Sequence, residues 1–243
     1  MDRTTIDVYE QQGAAFAAAR DSRRGLAEAE DLGRAVAPGT ARADLGCGPG
    51  FHTAALGEPT LAIDAAASMT ELTRRRAPGA LVVRADLERL PVRTDGLGGA
   101  WAARSYVHVA AEEVPMAWHD LHRSLATDAP AEIVVFDGDR SCEPIPTSDF
   151  PDRRFSGQPI ERWVELAIGA GFAVEASEQH GHEIRLRLRA LRSLADTVGP
   201  GMRLLVCGLN PSLHAADAGV GFVTGNNRFW PAAIAAGLVT ADR

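Results

Sequence analysis

The chain has 243 residues, 46% of them hydrophobic and 23% charged, with a net charge of -7; it is long enough to bury a sizeable core without cross-links. All 25 of its basic residues are arginines, which excludes P-loop nucleotide hydrolysis, a pyridoxal-phosphate Schiff base and Ser-Lys chemistry, since each requires a lysine. The acidic balance speaks against a general nucleic-acid coat, and no apolar run approaches the roughly 18 residues that would span a bilayer, so no membrane partner is expected.

The first segment, 6–20, reads "IDVYEQQGAAFAAAR" and predicts a helix able to lie over a site further along the chain. It carries no basic stretch followed by an apolar one, so no secretion signal is read there, and a cytoplasmic location is expected. Strands are predicted at 40–45, 60–65, 80–86, 98–105 and 131–137, with helices over "FHTAAL", "ASMTELTRRRA" and "EEVPMAWHDLHRSLA" between them. That alternation implies a Rossmann-like, doubly wound α/β sheet, mostly parallel, with ligands at the carboxyl ends of its strands. A Pro/Ser/Asp-rich loop (141–159), a helix from 160 closed by glycine, and strands at 172–180 and 182–190 complete the unit. The last strand would be antiparallel and at an edge, with Arg185, Arg187 and Arg189 on one face and a phosphate contact as the alternative use of that face. We place the first domain at 1–195, a Gly/Pro linker "DTVGPG" at 196–201 and a second segment at 202–243. Cys47, Cys142 and Cys207 are far apart and odd in number, so they are expected to be reduced and mostly buried, with no metal site.

The chemistry concentrates in "DLGCGPG", residues 44–50, directly after the first strand. Gly46, Gly48 and Gly50 allow a sharp turn and close approach of a ligand to backbone amides. A dinucleotide fingerprint would place its third glycine at position 51, where Phe51 stands. Instead Asp44 precedes the first glycine, which disfavours a pyrophosphate and suits a ligand with a cationic amine. Asp64 ends the second strand, where a carboxylate can accept two ribose hydroxyls, and Asp86 ends the third, where it can accept from an adenine amine. One acid for an amine, one for a ribose and one for adenine describe S-adenosylmethionine.

With those residues in view, positions 5–190 resemble the class I S-adenosylmethionine-dependent methyltransferases, on "DLGCGPG", on "AIDAAASM" and on "RADLERLPVRTDGLGGAWAARSYVHV". The resemblance implies that Asp44, Gly46, Cys47 and Gly48 hold the methionine part, with Gly50 completing the loop. It further implies Asp64 with Ala65 and the following Met69 around the ribose, Asp86 with the Leu87 amide at the adenine, and Ser105 beside the sulfonium. The methyl acceptor is not legible, whether small molecule or nucleic acid. "RSYVHV" occupies the place where amino-methylating nucleic-acid enzymes carry an Asn-Pro-Pro-Tyr type motif, which lowers the case for adenine methylation. His108 is the candidate catalytic base.

The tail, "MRLLVCGLNPSLHAADAGVGFVTGNNRFWPAAIAAGL", resembles the start of the mismatch-specific uracil/thymine DNA glycosylases, with "GLNPSL" and "GNNRFW" as its motifs and Ser212 in place of a glycine. By that resemblance Asn210 would position the attacking water and Phe222 would stack on a flipped base, which makes DNA a possible partner and DNA repair a possible setting. The segment is shorter than such a domain, so a truncated glycosylase is expected, with a loosely packed strand at 202–207 and helix at 227–237. The rival to a methyltransferase is therefore a glycosylase whose first domain only binds cofactor.

Overall fold

The computed structural model describes residues 1–145, 149–194, 200–202, 204–208 and 212–240. They divide into two compact units, Met1–Leu191 and Arg192–Arg243.

In the first unit the chain runs α1 (Arg3–Ala18), α2 (Leu26–Ala35), β1 (Arg42–Leu45), β2 (Thr60–Asp64), α3 (Ala67–Arg76), β3 (Leu81–Arg84) and β4 (Gly99–Ala103). It continues through α4 (Val114–Ser124), β5 (Pro130–Phe136), β6 (Arg140–Pro144), β7 (Arg154–Gly157), α5 (Ile160–Gly169), β8 (Phe172–His180) and β9 (Glu183–Ala190). Seven strands form one sheet in the order β3-β2-β1-β4-β5-β9-β8. β1 pairs in parallel with β2 and β4, which carry the parallel pairing on to β3 and β5, while β9 is antiparallel to both β5 and β8. The order reverses between β1 and β4, and such a reversal opens a crevice beyond the strand ends.

Both faces of the sheet are covered. Trp101 of β4 is 1% exposed and packs with Ala29 and Leu32 of α2 and with Leu56. On the larger core, Trp118 of α4 stacks on Trp163 of α5 with ring centroids 5.3 Å apart, and both are fully buried. The Trp163 indole donates to the Phe136 carbonyl at 2.9 Å, so its one polar atom is satisfied.

Several expectations are corrected. "FHTAAL" forms turns instead of a helix, because Gly57 (φ 80) ends it after two short-range bonds from Ala55 and Leu56 to the His52 carbonyl. β9 lies inside the sheet, and β8 forms the edge. The arginines of β9 are matched by acids, Arg185 by Glu28 of α2 and Glu132 of β5, Arg187 by Glu178 and Arg189 by Glu175 of β8, so that face is covered by ion pairs. The loop at 141–159 contains a two-stranded ribbon, β6 with β7. Cys47 is buried, but Cys142 is half-buried and Cys207 exposed.

The second unit holds α6 (Leu213–Ala218) and α7 (Phe229–Ala235). Ser212 caps α6 by accepting from the Ala215 amide at 3.1 Å, and the Asn227 side chain accepts from the Phe229 amide at 2.8 Å. The expected strand is absent among the described residues 204–208, and Leu204, Leu205 and Val206 are exposed. A lone strand with no neighbour to take its backbone hydrogen bonds has nothing to hold it extended. Most of the expected linker, 196–199, lies outside the described residues.

Candidate active site

A cavity of about 630 Å³ opens at the carboxyl ends of β1, β2 and β4. Its floor is the glycine loop. Gly46, Gly48 and Gly50 all take positive φ, of 67°, 53° and 78°, but they serve different ends. A Cβ on Gly46 would stand 2.2 Å from the Ser105 Cβ, and one on Gly50 3.0 Å from the Thr73 Cα, so these two let neighbouring backbone come close. A Cβ on Gly48 would meet nothing within 4 Å, and Gly48 lines the cavity, so its bare backbone keeps that space open. Cys47 anchors the turn, its amide donating to the Ile63 carbonyl at 2.9 Å and its thiol lying 3.4 Å from the Thr73 hydroxyl.

Two carboxylates face this floor. Asp44, 2% exposed, accepts from the Thr53 hydroxyl at 2.6 Å. Burial pushes its pKa up to about 7 against the opposing pull of that hydrogen bond. Asp64 accepts from the Gly48 and Ala66 amides, each at 2.9 Å, and burial raises its pKa to about 6. A carboxylate offers about four acceptor positions, so Asp64 can still accept from a ligand. Above them the Ser105 hydroxyl is buried without a hydrogen-bond partner. Ala65, the buried Met69 and the buried Leu87 complete this side.

The other side is built by α1 and the bend after it, β7 and the ends of β5 and β9, which contribute Tyr9, Phe16, Arg20, Phe155, Phe136 and Glu183. α1 is fixed there by its own polar groups: Ser68 donates from its amide to Glu10 at 2.9 Å and from its hydroxyl to the Tyr9 carbonyl at 2.8 Å, and the Arg154 amide donates to the Thr5 hydroxyl at 2.8 Å. His108 is 4% exposed and lines the cavity. Its Nδ1 lies 2.7 Å from the Arg154 carbonyl and its Nε2 2.9 Å from the Tyr9 hydroxyl. A carbonyl can only accept, so Nδ1 carries the proton and Nε2 accepts from Tyr9. Burial lowers the His108 pKa to about 4, so the ring is neutral near pH 7.

Against known proteins, residues 43–128 match the family described as methyltransferase domain. The match spans the glycine loop, Asp64, Asp86, Ser105 and His108. In three dimensions the chain is similar to DhpI in its complex with SAH, with TM-score 0.62 at 16% identity over 77% of this chain and 96% of that one. It is similar also to the Burkholderia thailandensis 1,6-didemethyltoxoflavin-N1-methyltransferase, with TM-score 0.59 at 18% identity over 78% of this chain and 87% of that one. The [4+2]-cyclase SpnF shares the fold with TM-score 0.54 at 16% identity, over 71% of this chain and 86% of that one. At such identities the likeness is one of fold, a Rossmann-like α/β sheet. No curated protein matches the sequence.

The fold thus brings Asp44, Gly46, Cys47, Gly48, Asp64, Ala65, Met69, Leu87, Ser105 and His108 around one cavity. Asp86 and Gly50 are not on its wall. Asp86 accepts from the Met1 amine at 2.8 Å and from the Glu88 amide at 3.0 Å. In the second unit Phe222 takes φ 58° and its ring stacks on Phe229 at 4.2 Å, while Asn210 lies outside the described residues. Among the described residues no cluster of His, Cys, Asp and Glu is arranged to hold a metal ion, and no helix is long and apolar enough to cross a membrane. Tyr9, Phe16 and Arg20 escaped the sequence reading, although their spacing of seven and four places them along one face of the helix predicted over 6–20.

Proposed function

We propose that this site binds S-adenosylmethionine and transfers its methyl group to a small-molecule acceptor. One observation carries the reading: a buried carboxylate, Asp44, and a half-buried one, Asp64, flank a glycine turn at the point where the strand order reverses. The residues fit that cofactor. Asp44 suits its amine, Asp64 its ribose hydroxyls and the unpartnered Ser105 hydroxyl the region of the reacting sulfur, with Gly48 leaving room beside them. The cofactor's own carboxylate needs a cation, and Arg104 precedes Ser105 with its guanidinium on Glu183, which Arg24 also meets at 2.8 Å. Two guanidinium groups sharing one carboxylate leave positive charge for a second anion.

When bound, S-adenosylmethionine supplies an electrophilic methyl group on a sulfonium. The chain's residues hold the donor and the acceptor in line and keep water out. Neutral His108 can take a proton only through Nε2, and Tyr9 occupies that nitrogen, so a proton from an acceptor hydroxyl or amine would reach the imidazole by way of the Tyr9 oxygen. α1 as one wall of the cavity favours a small acceptor over a nucleic-acid strand.

Titrating S-adenosylhomocysteine into the 243-residue chain tests this. Saturable binding that Asp64→Ala abolishes supports it, and a chain that binds none overturns it. Binding without turnover of labelled S-adenosylmethionine across a broad acceptor screen would favour an activity other than methyl transfer on the same fold. For the second unit the glycosylase resemblance stands on its sequence motifs, and Phe222 would have to leave Phe229 to stack on a base.

A further inference from the structure

The acceptor half of the cavity has a charge and a surface of its own. Arg153 is only 6% exposed, and its guanidinium lies 5.1 to 5.5 Å from the rings of Tyr9, Phe16, Phe150 and Phe155. Aromatic faces stabilise a buried cation without cancelling its charge. Its Nη1 donates to the Tyr9 hydroxyl at 3.0 Å, its Nε to the Phe150 carbonyl at 3.3 Å and its Nη2 to Asp149 at 3.2 Å. Arg20 meets the same Asp149 with two bonds of 2.5 and 2.9 Å while its guanidinium lies 4.6 Å from the Phe16 ring. One carboxylate, half-exposed, is therefore shared by two guanidinium groups that both line the cavity. This excess of positive charge stands in a chain whose net charge is -7.

We propose, resting on the methyltransferase reading above, that the acceptor is a planar aromatic carboxylate, held by Arg20 and Arg153 with its ring against Phe16, Phe155 and Tyr9. A guanidinium fork matches a carboxylate in two parallel bonds, and flat rings lining the same wall favour a flat ligand. This pair is distinct from Arg24 and Arg104, which share Glu183, so donor and acceptor each have their own anion site. Tyr9 joins the two functions, since its hydroxyl touches both Arg153 and His108. An acceptor anchored at Arg153 therefore lies beside the group that would pass on its proton.

The test titrates a set of hydroxybenzoates and hydroxycinnamates, each alongside its uncharged amide, into protein saturated with S-adenosylhomocysteine. At least one carboxylate is expected to bind about tenfold or more tightly than its amide, since a hydrogen bond to a charged group contributes more than one between neutral groups. Arg20→Gln should weaken that ligand by about tenfold while leaving S-adenosylhomocysteine affinity as it was. Asp149→Asn should tighten it, because the competing carboxylate is gone; a merely structural Asp149 would weaken it or leave it unchanged. Carboxylates that bind no better than their amides, or fail to bind where S-adenosylhomocysteine does, overturn the proposal and leave the cofactor site standing. Failure of S-adenosylhomocysteine itself to bind removes both.

Discussion

The Tyr9 hydroxyl donates to His108 Nε2 across 2.9 Å, joining the first helix to the turn that follows β4. The same oxygen accepts from Arg153 at 3.0 Å, so His108 is held as a neutral ring at the end of a directed chain of donors. Its pKa, lowered to about 4 by burial, lies below the value of about 6.5 in the unfolded chain. The folded state then binds fewer protons in that window, and the His108 contribution to stability is lost as pH falls from about 6.5 towards about 4. We expect the His108 ring signals to show no titration near pH 6.5. Tyr9→Phe should raise its pKa by removing the donor to Nε2, and should cost about 1–3 kcal/mol in stability by leaving a buried acceptor unmet. A ring that titrates near 6.5 in the intact protein would contradict the assigned tautomer and bonds.

The three loop glycines should separate into two phenotypes. Alanine at Gly46 would meet the Ser105 Cβ at 2.2 Å while at φ 67°, combining overpacking with left-handed strain. A loss of about 2–5 kcal/mol follows, visible as a lower denaturant midpoint. Alanine at Gly48 meets nothing, so its cost is limited to the strain of φ 53°, about 1–2 kcal/mol. Its methyl group would stand in the cavity, and S-adenosylhomocysteine affinity should fall while the fold persists. Equal losses of stability in the two variants would remove the distinction.

The half of the cavity built from β1, β2 and the loop was legible because its chemistry is local: Asp44, the glycines and Asp64 sit at strand ends that apolar periodicity marks. The other half was not. Tyr9, Arg20, Arg153 and Glu183 come from α1, the bend just after it, the loop before β7 and the start of β9, and only the tertiary fold brings these distant segments together. Arg153 sat unnoticed in a segment read as loop, since its significance comes from four rings that enclose it. The strand read at 202–207 shows the converse limit, because an apolar run specifies a strand only where a neighbour can take its hydrogen bonds.

Asp44 gives the cofactor site a pH dependence of predictable sign. Its folded pKa of about 7 stands above the unfolded value near 4, so the folded protein binds more protons between these limits. Stability without ligand should therefore decline as pH rises from about 4 to about 7. A cationic amine beside Asp44 favours its ionised form, so binding of S-adenosylhomocysteine at pH 6 should release protons and tighten towards pH 7. Calorimetry in two buffers of different ionisation enthalpy reads that release directly. Asp44→Asn should diminish it, whereas proton uptake by the intact protein would place the amine elsewhere.

The Arg104 side chain can be separated from the rest of the cofactor site by choosing a ligand that lacks the group it is expected to hold. Arg104 and Arg24 share Glu183, whose pKa is lowered: burial would raise it, but the Arg104 hydrogen bond and both positive charges outweigh that effect. The spare positive charge faces the end of the cavity beside Ser105. Removing one guanidinium by Arg104→Gln deletes a charge-assisted contact of about 1.5–3 kcal/mol, which corresponds to roughly tenfold or more in affinity. That loss should appear for S-adenosylhomocysteine, which carries the amino-acid carboxylate, and vanish for 5′-methylthioadenosine, which lacks it. If both ligands weaken alike, Arg104 acts by shaping the turn after β4, where it takes φ 60°, and the cofactor carboxylate is met by another group.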